Sequence, residues 1–259
     1  MTDALDFNRR FGGVRRLYGE LGATKLHAAH VVVIGIGGVG SWAVEALVRN
    51  AVGKLTLIDL DNVAESNFNR QLHAIAGNEG KPKVTAMAER VRAINPLCQV
   101  TEIDDFVTPE NVSNLLNISC DVIVDCVDDA KTKIALVSFC KQKNIPLVMS
   151  GSAGGRLDPT FTKVADLAQV QGDKLLAKVR NQLRRDHGFP KASNTKKSAK
   201  FGVDCVYSDE AVIKPNELCE ATSESLTGLN CAGYGSSVCV TAPFGFTLAQ
   251  LALKCITRI

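Results

Sequence analysis

The chain has 259 residues, 46% of them hydrophobic, and a formal net charge of +3, which suits a soluble globule of one large α/β domain or two small ones. Residues 1–6 carry neither a basic flank nor an apolar stretch, so no secretory signal or transit peptide is expected. Nine irregularly spaced cysteines with no C-x-x-C pair argue against a disulfide framework and a two-pair zinc site, and fit reduced thiols in the cytoplasm.

In chain order, an apolar strand predicted over 31–36 runs into the glycine turn Gly35-Ile36-Gly37-Gly38-Val39-Gly40, with a helix over 39–51 behind it. Glycines there let backbone N–H groups approach a polyphosphate, and the helix N-terminus favours negative charge. The next strand, 54–59, ends in Asp59, placed to accept hydrogen bonds from ribose hydroxyls. Alone, this is a dinucleotide fingerprint. A polar segment with Asp61, Asn67, Arg70 and Gln71 follows, then a helix over 81–94 with Lys83 near its start, closed by Asn95-Pro96. A strand over 97–103, a helix over 109–117 capped by Thr108, and a strand over 120–125 lead to Asp128 and Asp129. A helix over 131–143 and a strand over 146–150 complete the alternation. It predicts an α/β fold: a Rossmann-like, doubly wound, mostly parallel sheet in residues 1–150, with an appended C-terminal substrate-binding half, 151–259, in one continuous domain.

In the second half, a glycine-rich hinge at 151–155 precedes a short strand, a basic helix near 172–187 and a basic loop. Residues 174–200 hold nine Lys or Arg against one acid, a local +8 that leaves −5 for the rest. A run of this kind is either a solvated face or a phosphate-contacting patch. Residues 238–256 are apolar enough to suggest a membrane helix, but Pro243, Gly245, Gln250 and Lys254 interrupt them, and a buried segment or subunit interface is expected. Cys126 and Cys205 lie in strand-like runs and are expected in the core.

The polar residues around the glycine turn point to chemistry on ATP. Arg70 offers a planar fork for phosphate oxygens, although by itself it is an ordinary surface arginine. Lys83, an ammonium at a helix start, opposes the local dipole and favours an anion; it can stabilise charge on the α-phosphate and the leaving pyrophosphate. Asp128, at the carboxyl edge of the sheet, can hold magnesium on the phosphates, while Asp129 is placed as a helix cap.

The ordered set of glycine turn, Asp59-x-Asp61, Ser66-Asn67-x-x-Arg70-Gln71, Lys83 and Asp128 resembles the ubiquitin-activating-enzyme-like superfamily, whose members adenylate carboxylates. The resemblance implies that Gly35, Gly37, Gly38, Gly40, Asp59, Asp61, Asn67, Arg70, Gln71 and Lys83 bind ATP. Arg70 and Lys83 would then face the reacting phosphates, and Asp128 the magnesium. Residues 10–13, 17–19, 104–112, 151–159, 201–208 and 230–235 are similar to a family of tRNA-modifying dehydratases within it. That likeness implies ATP-dependent dehydration of threonylcarbamoyladenosine beside the tRNA anticodon, by activation of the threonine carboxylate and ring closure. It gives the basic segment a partner, with Arg180, Arg184, Arg185, Lys191, Lys196, Lys197 and Lys200 against the tRNA backbone. It also implies a homodimer, a sulfur-transfer or cysteine-desulfurase partner, and a thiol to watch at Cys231, although cyclisation needs none and cysteines are more often buried apolar groups. Two alternatives stand beside it. One is adenylation of a ubiquitin-like or sulfur-carrier C-terminus, against which the missing C-x-x-C pairs and the basic segment argue. The other is an NAD-dependent oxidoreductase, which leaves Arg70, Lys83 and Asp128 without a task.

Overall fold

Alternate residues of the central strands face opposite layers, and each layer has its own helices. The computed structural model describes residues 6–191, 199–213 and 234–259. Its strands are β1 (His30–Ile34), β2 (Lys54–Ile58), β3 (Gln99–Ile103), β4 (Val122–Asp125), β5 (Leu147–Ser150), β6 (Thr162–Asp166) and β7 (Asp204–Ser208). Its helices are α1 (Phe7–Ala28), α2 (Gly40–Arg49), α3 (Lys83–Ile94), α4 (Val112–Leu115), α5 (Ala130–Lys143), α6 (Lys174–Asp186) and α7 (Val238–Thr257). Val31, Val33, Leu55, Leu57, Val122 and Val124 pack in one layer with residues of α2, α3 and α7. Val32, Ile34, Ile58, Ile123 and Met149 pack in the other with α5 and α6. Burial on both faces is why these runs read as continuous Val, Ile and Leu, and each fully buried side chain contributes roughly 1.5–3 kcal/mol.

The sheet has the order β3-β2-β1-β4-β5-β7-β6, parallel throughout except for β6, which runs antiparallel to β7 at the edge. Chain order reverses between β1 and β4, and that reversal opens the crevice where open α/β sheets bind ligands. One sheet spans both halves of the sequence, since β5 pairs directly with β7.

Several elements depart from expectation. Helix α1 has no counterpart in the sequence reading; Asp6 caps it by accepting from Arg9 N–H at 2.9 Å, and it breaks at Gly19, whose φ is 70°. Strand β3 begins at Gln99 rather than 97, because Cys98 N–H bonds the Asn95 carbonyl and closes a turn. The helix expected over 109–117 shrinks to α4. Thr108 does cap the turn that leads into it, its hydroxyl accepting from Asn111 N–H at 3.3 Å, while the Asn111 side chain bonds Thr108 N–H at 2.7 Å and the Phe106 carbonyl at 2.8 Å; the regular helix starts only after Asn111.

Helix α7 is long and apolar enough to cross a membrane, yet Val240, Phe244, Leu248, Ala252 and Leu253 are buried in the first layer. Its approach to α2 depends on Gly245, where a Cβ would lie 2.5 Å from the Val39 carbonyl and 2.7 Å from Trp42 Cβ. The apolar character thus serves a core helix that packs closely on the helix behind the glycine turn. Cys205 is buried as expected, whereas Cys126 is only partly so and borders the crevice.

Candidate functional site

The chain must leave β1 sharply to start α2, and glycine makes the crossing. Gly35 takes φ 85°, and its N–H bonds the Ile58 carbonyl at 2.9 Å. At Gly40 a Cβ would sit 1.8 Å from the Gly35 carbonyl oxygen, so no other residue fits. At Gly37 a Cβ would meet nothing within 4 Å, which leaves that backbone open to a ligand. Gly38 is backed by Arg70 and Thr241.

The turn opens on a cavity of about 600 Å³ at the β1/β4 crevice. Gly35, Gly37, Gly38, Asp59, Asp61, Arg70, Gln71, Lys83 and Asp128, distant in sequence, all line it. Asp59 is buried; its two carboxylate oxygens accept from Ile36 N–H at 2.6 Å and Asp61 N–H at 2.9 Å. Burial raises its pKa, against the pull of the Lys83 charge. Asp61 holds the Lys83 ammonium at 2.7 Å, and the Lys83 N–H bonds the Asp61 carbonyl at 3.0 Å. The lysine is therefore sunk in protein with its charge directed by one exposed carboxylate. Arg70 donates to the Ser66 carbonyl at 2.8 Å and to Asn69 Oδ1 at 2.9 Å, while its own carbonyl accepts from Trp42 Nε1 at 3.0 Å. Gln71 Oε1 is buried without a hydrogen-bond partner among the described residues, a cost sustained where a ligand can supply the donor.

Two of the expected ligand residues do other work. Gly40 is a packing residue of the crossing, as above. Asn67 is not in the cavity wall; its Oδ1 accepts from Ala64 N–H at 3.1 Å and closes the turn that presents Arg70. Asp129 caps α5, accepting from Thr132 N–H at 2.7 Å.

The sequence assigns no site role to the rest of the wall, although much of it lies in the segments 104–112, 151–159 and 230–235 that carry the family likeness. Asp105, Phe106 and Thr108 close it beyond β3, and Ser150, Ser152, Tyr234, Ser236 and Thr241 close the far side. Beneath Lys83 lies His73, buried, with neither ring nitrogen partnered among the described residues. Burial and the Lys83 charge push its pKa down to about 4, so the imidazole is neutral beside the ammonium. His73 carries no motif to flag it, and the far wall is marked only by the glycine-rich stretch at 151–155 and the family likeness around it.

The basic segment divides by role. Asp173 caps α6, accepting from Leu176 N–H at 2.8 Å. Arg180 donates to the Val170 carbonyl; Arg184 donates to the carbonyls of Pro190 at 3.1 Å and Ala168 at 3.3 Å and lies over the Phe201 ring. These two arginines tie loops to the helix rather than standing free for an outside phosphate. Arg185 pairs with Asp186 at 2.9 Å on the surface, and Lys174, Lys178, Lys191 and Lys200 are exposed. Lys196, Lys197 and Cys231 lie outside the described residues.

The arrangement combines a backbone cradle, a buried acid, two cations and a carboxylate in one cavity, which suits activation of a carboxylate on a nucleoside triphosphate. The ThiF family model matches residues 9–259. The chain is 46% identical over 254 residues to the tRNA threonylcarbamoyladenosine dehydratase of Escherichia coli K12, covering 96% of this chain and 93% of that protein. It is 48% identical over 242 residues to the protein of the same name from Haemophilus influenzae, covering 93% and 90%. Among solved structures, the E. coli tRNA N6-threonylcarbamoyladenosine dehydratase in complex with ATP matches with a TM-score of 0.87 at 43% identity, over 100% of this chain and 98% of that one. The same enzyme in complex with AMP matches with a TM-score of 0.86.

Proposed function

This chain belongs to the ThiF family, and on that premise we propose that it dehydrates N6-threonylcarbamoyladenosine beside the anticodon of tRNA at the expense of ATP. The observation that carries this reading is the convergence on one cavity of the glycine turn, Asp59, Arg70, Gln71, Lys83 and Asp128, in a chain similar over nearly its whole length to dehydratases of that name. Gly37 leaves room for phosphate oxygens, Gln71 Oε1 awaits a donor, and Asp59 retains lone pairs for ribose hydroxyls.

In the reaction, a threonine carboxylate oxygen attacks the α-phosphorus and pyrophosphate leaves. The carbamoyl group then attacks the acyl carbonyl, loses its proton, and AMP departs with the carboxylate oxygen, so the elements of water leave the nucleoside. Lys83 and Arg70 stabilise the charge that builds on the α-phosphate and pyrophosphate, and the buried setting of Lys83 magnifies that effect. Ring closure joins two groups already on one nucleoside, so the protein need only hold them in reach. Magnesium, held through Asp128, would neutralise phosphate charge.

The exposed cations Lys174, Lys178, Arg185, Lys191 and Lys200 are the contacts assigned to the tRNA backbone. Leu17 and Leu21, 77% and 71% exposed on α1, support a homodimer in which a second copy covers them. The described cysteines are all free thiols, in keeping with a cytoplasmic protein; Cys239 alone among them is exposed and so open to a sulfur-transfer partner. The test is to incubate the protein with tRNA bearing threonylcarbamoyladenosine, ATP and magnesium, and weigh the nucleoside by mass spectrometry. Loss of one water is expected. No loss, together with pyrophosphate exchange stimulated by a small carrier protein, would overturn the reading.

A further inference from the structure

Asp125 and Lys133 are fully buried, neither lines the cavity, and their Oδ2 and Nζ stand 3.1 Å apart, poorly angled for a hydrogen bond. No other polar contact of the Lys133 ammonium accompanies this pair among the described residues. Such pairs are costly: desolvation consumes what attraction returns, and an apolar pair of similar volume commonly serves stability as well or better. A geometric role accounts for its presence.

Asp125 is the last residue of β4, in register with Ile34 of β1. Its second oxygen, Oδ1, accepts from Val127 N–H at 3.0 Å. Between them, Cys126 N–H bonds the Ile34 carbonyl at 2.8 Å, and the Cys126 backbone lies 3.0 Å from where a Gly35 Cβ would be. The same segment continues into Asp128, in the cavity wall, and Asp129, the cap of α5. Lys133 stands one turn into α5, its N–H bonded to the Asp129 carbonyl at 3.1 Å. The pair therefore closes a ring around the turn at 126–129: Asp125 fixes its start, Asp129 and α5 fix its end, and Lys133 joins the two.

We propose that Lys133 is a positioning residue for the nucleotide site, holding the 126–129 turn through Asp125 so that Asp128 and the Gly35 crossing face a bound triphosphate in fixed register. This rests on the ATP-binding reading above. The test compares the full-length wild type with Lys133→Met and with Asp125→Asn/Lys133→Met, measuring ATP affinity by calorimetry in the presence of magnesium, and the melting temperature. Lys133→Met should weaken ATP binding about tenfold or more, the usual effect of losing an outer partner that orients a ligand-facing group. The double variant, free of an uncompensated buried charge, should recover melting temperature but not ATP affinity. Should Lys133→Met fail to fold, the double variant decides alone. Wild-type affinity in either variant, or affinity that returns together with melting temperature, overturns the proposal. Absence of ATP binding by the wild type would instead bring down the nucleotide reading itself.

Discussion

The two walls of the cavity are built by different means. On the nucleotide side, each group is placed by bonds among residues that flank the first two strands and the helix after them: Asp59 by Ile36 and Asp61, Lys83 by Asp61, Arg70 by the turn that Asn67 closes. The opposite wall, residues 151–154 with Tyr234 and Ser236, is a loop sewn to distant segments. Ser152 N–H bonds Asp173 Oδ2 at 2.8 Å, Gly155 N–H the Gly235 carbonyl at 2.7 Å, and Ile213 N–H the Gly155 carbonyl at 2.8 Å. The first wall is built around the glycine turn and the strand ends beside it, and the second is brought into place by segments from the C-terminal half of the chain. Damage to the first should fall on nucleotide chemistry, and damage to the second on substrate placement.

The comparison breaks most readily at Lys83. Lys83→Met should reduce kcat/KM for the ATP-dependent reaction by roughly 100- to 1000-fold, in line with the loss of one preorganised charge-stabilising donor. Steady-state rates at varied ATP would reveal it, and an effect under tenfold would remove Lys83 from the phosphate site. A second test addresses stability. The folded pKa of His73 lies below its unfolded value, so its contribution is present above pH 6.5 and declines as pH falls towards about 4. The full shift corresponds to about 3 kcal/mol. Urea unfolding between pH 4.5 and 7 should show the decline in the wild type and a flatter profile in His73→Phe.

On the opposite wall, Asp173→Ala removes the α6 cap and the Ser152 contact and leaves the buried Arg156, 3.8 Å away, without its carboxylate. It should cost about 3–5 kcal/mol and raise KM for tRNA while leaving ATP affinity unchanged. Equal losses for both substrates would show that the walls are not separable. The smallest effect is expected at the surface. Lys178→Ala should leave the melting temperature unchanged and reduce the salt dependence of tRNA binding by about one charge, whereas Arg184→Ala should lower stability through the carbonyls it now serves.

The same contrast governs what the sequence discloses. Strands β1, β2, β4 and β5 are legible within about two residues, since unbroken Val and Ile runs ending at glycine or aspartate leave few readings. The nucleotide wall follows, because its residues sit at fixed offsets from those strands. Helix α1 is hidden: Gly12, Gly13, Gly19 and Gly22 depress its propensity, and it is held by packing such as that of Phe7 against Phe11 and His27. Lys133 reads as any helix lysine until Asp125 is seen beneath it, and Arg184 as any cation until the loop carbonyls close around it. Local pattern reports on groups that sit at fixed offsets from a recognisable strand or glycine turn, and says little of those, such as Lys133 and Arg184, whose partners belong to no motif.

The central claim is that the carboxylate is activated at the α-phosphate of ATP, and oxygen-18 in the threonine carboxylate of the tRNA substrate tests it most directly. The account predicts that the label appears in AMP, with unlabelled pyrophosphate. Label in inorganic phosphate with ADP as the nucleotide product, or in water with ATP unconsumed, would contradict it.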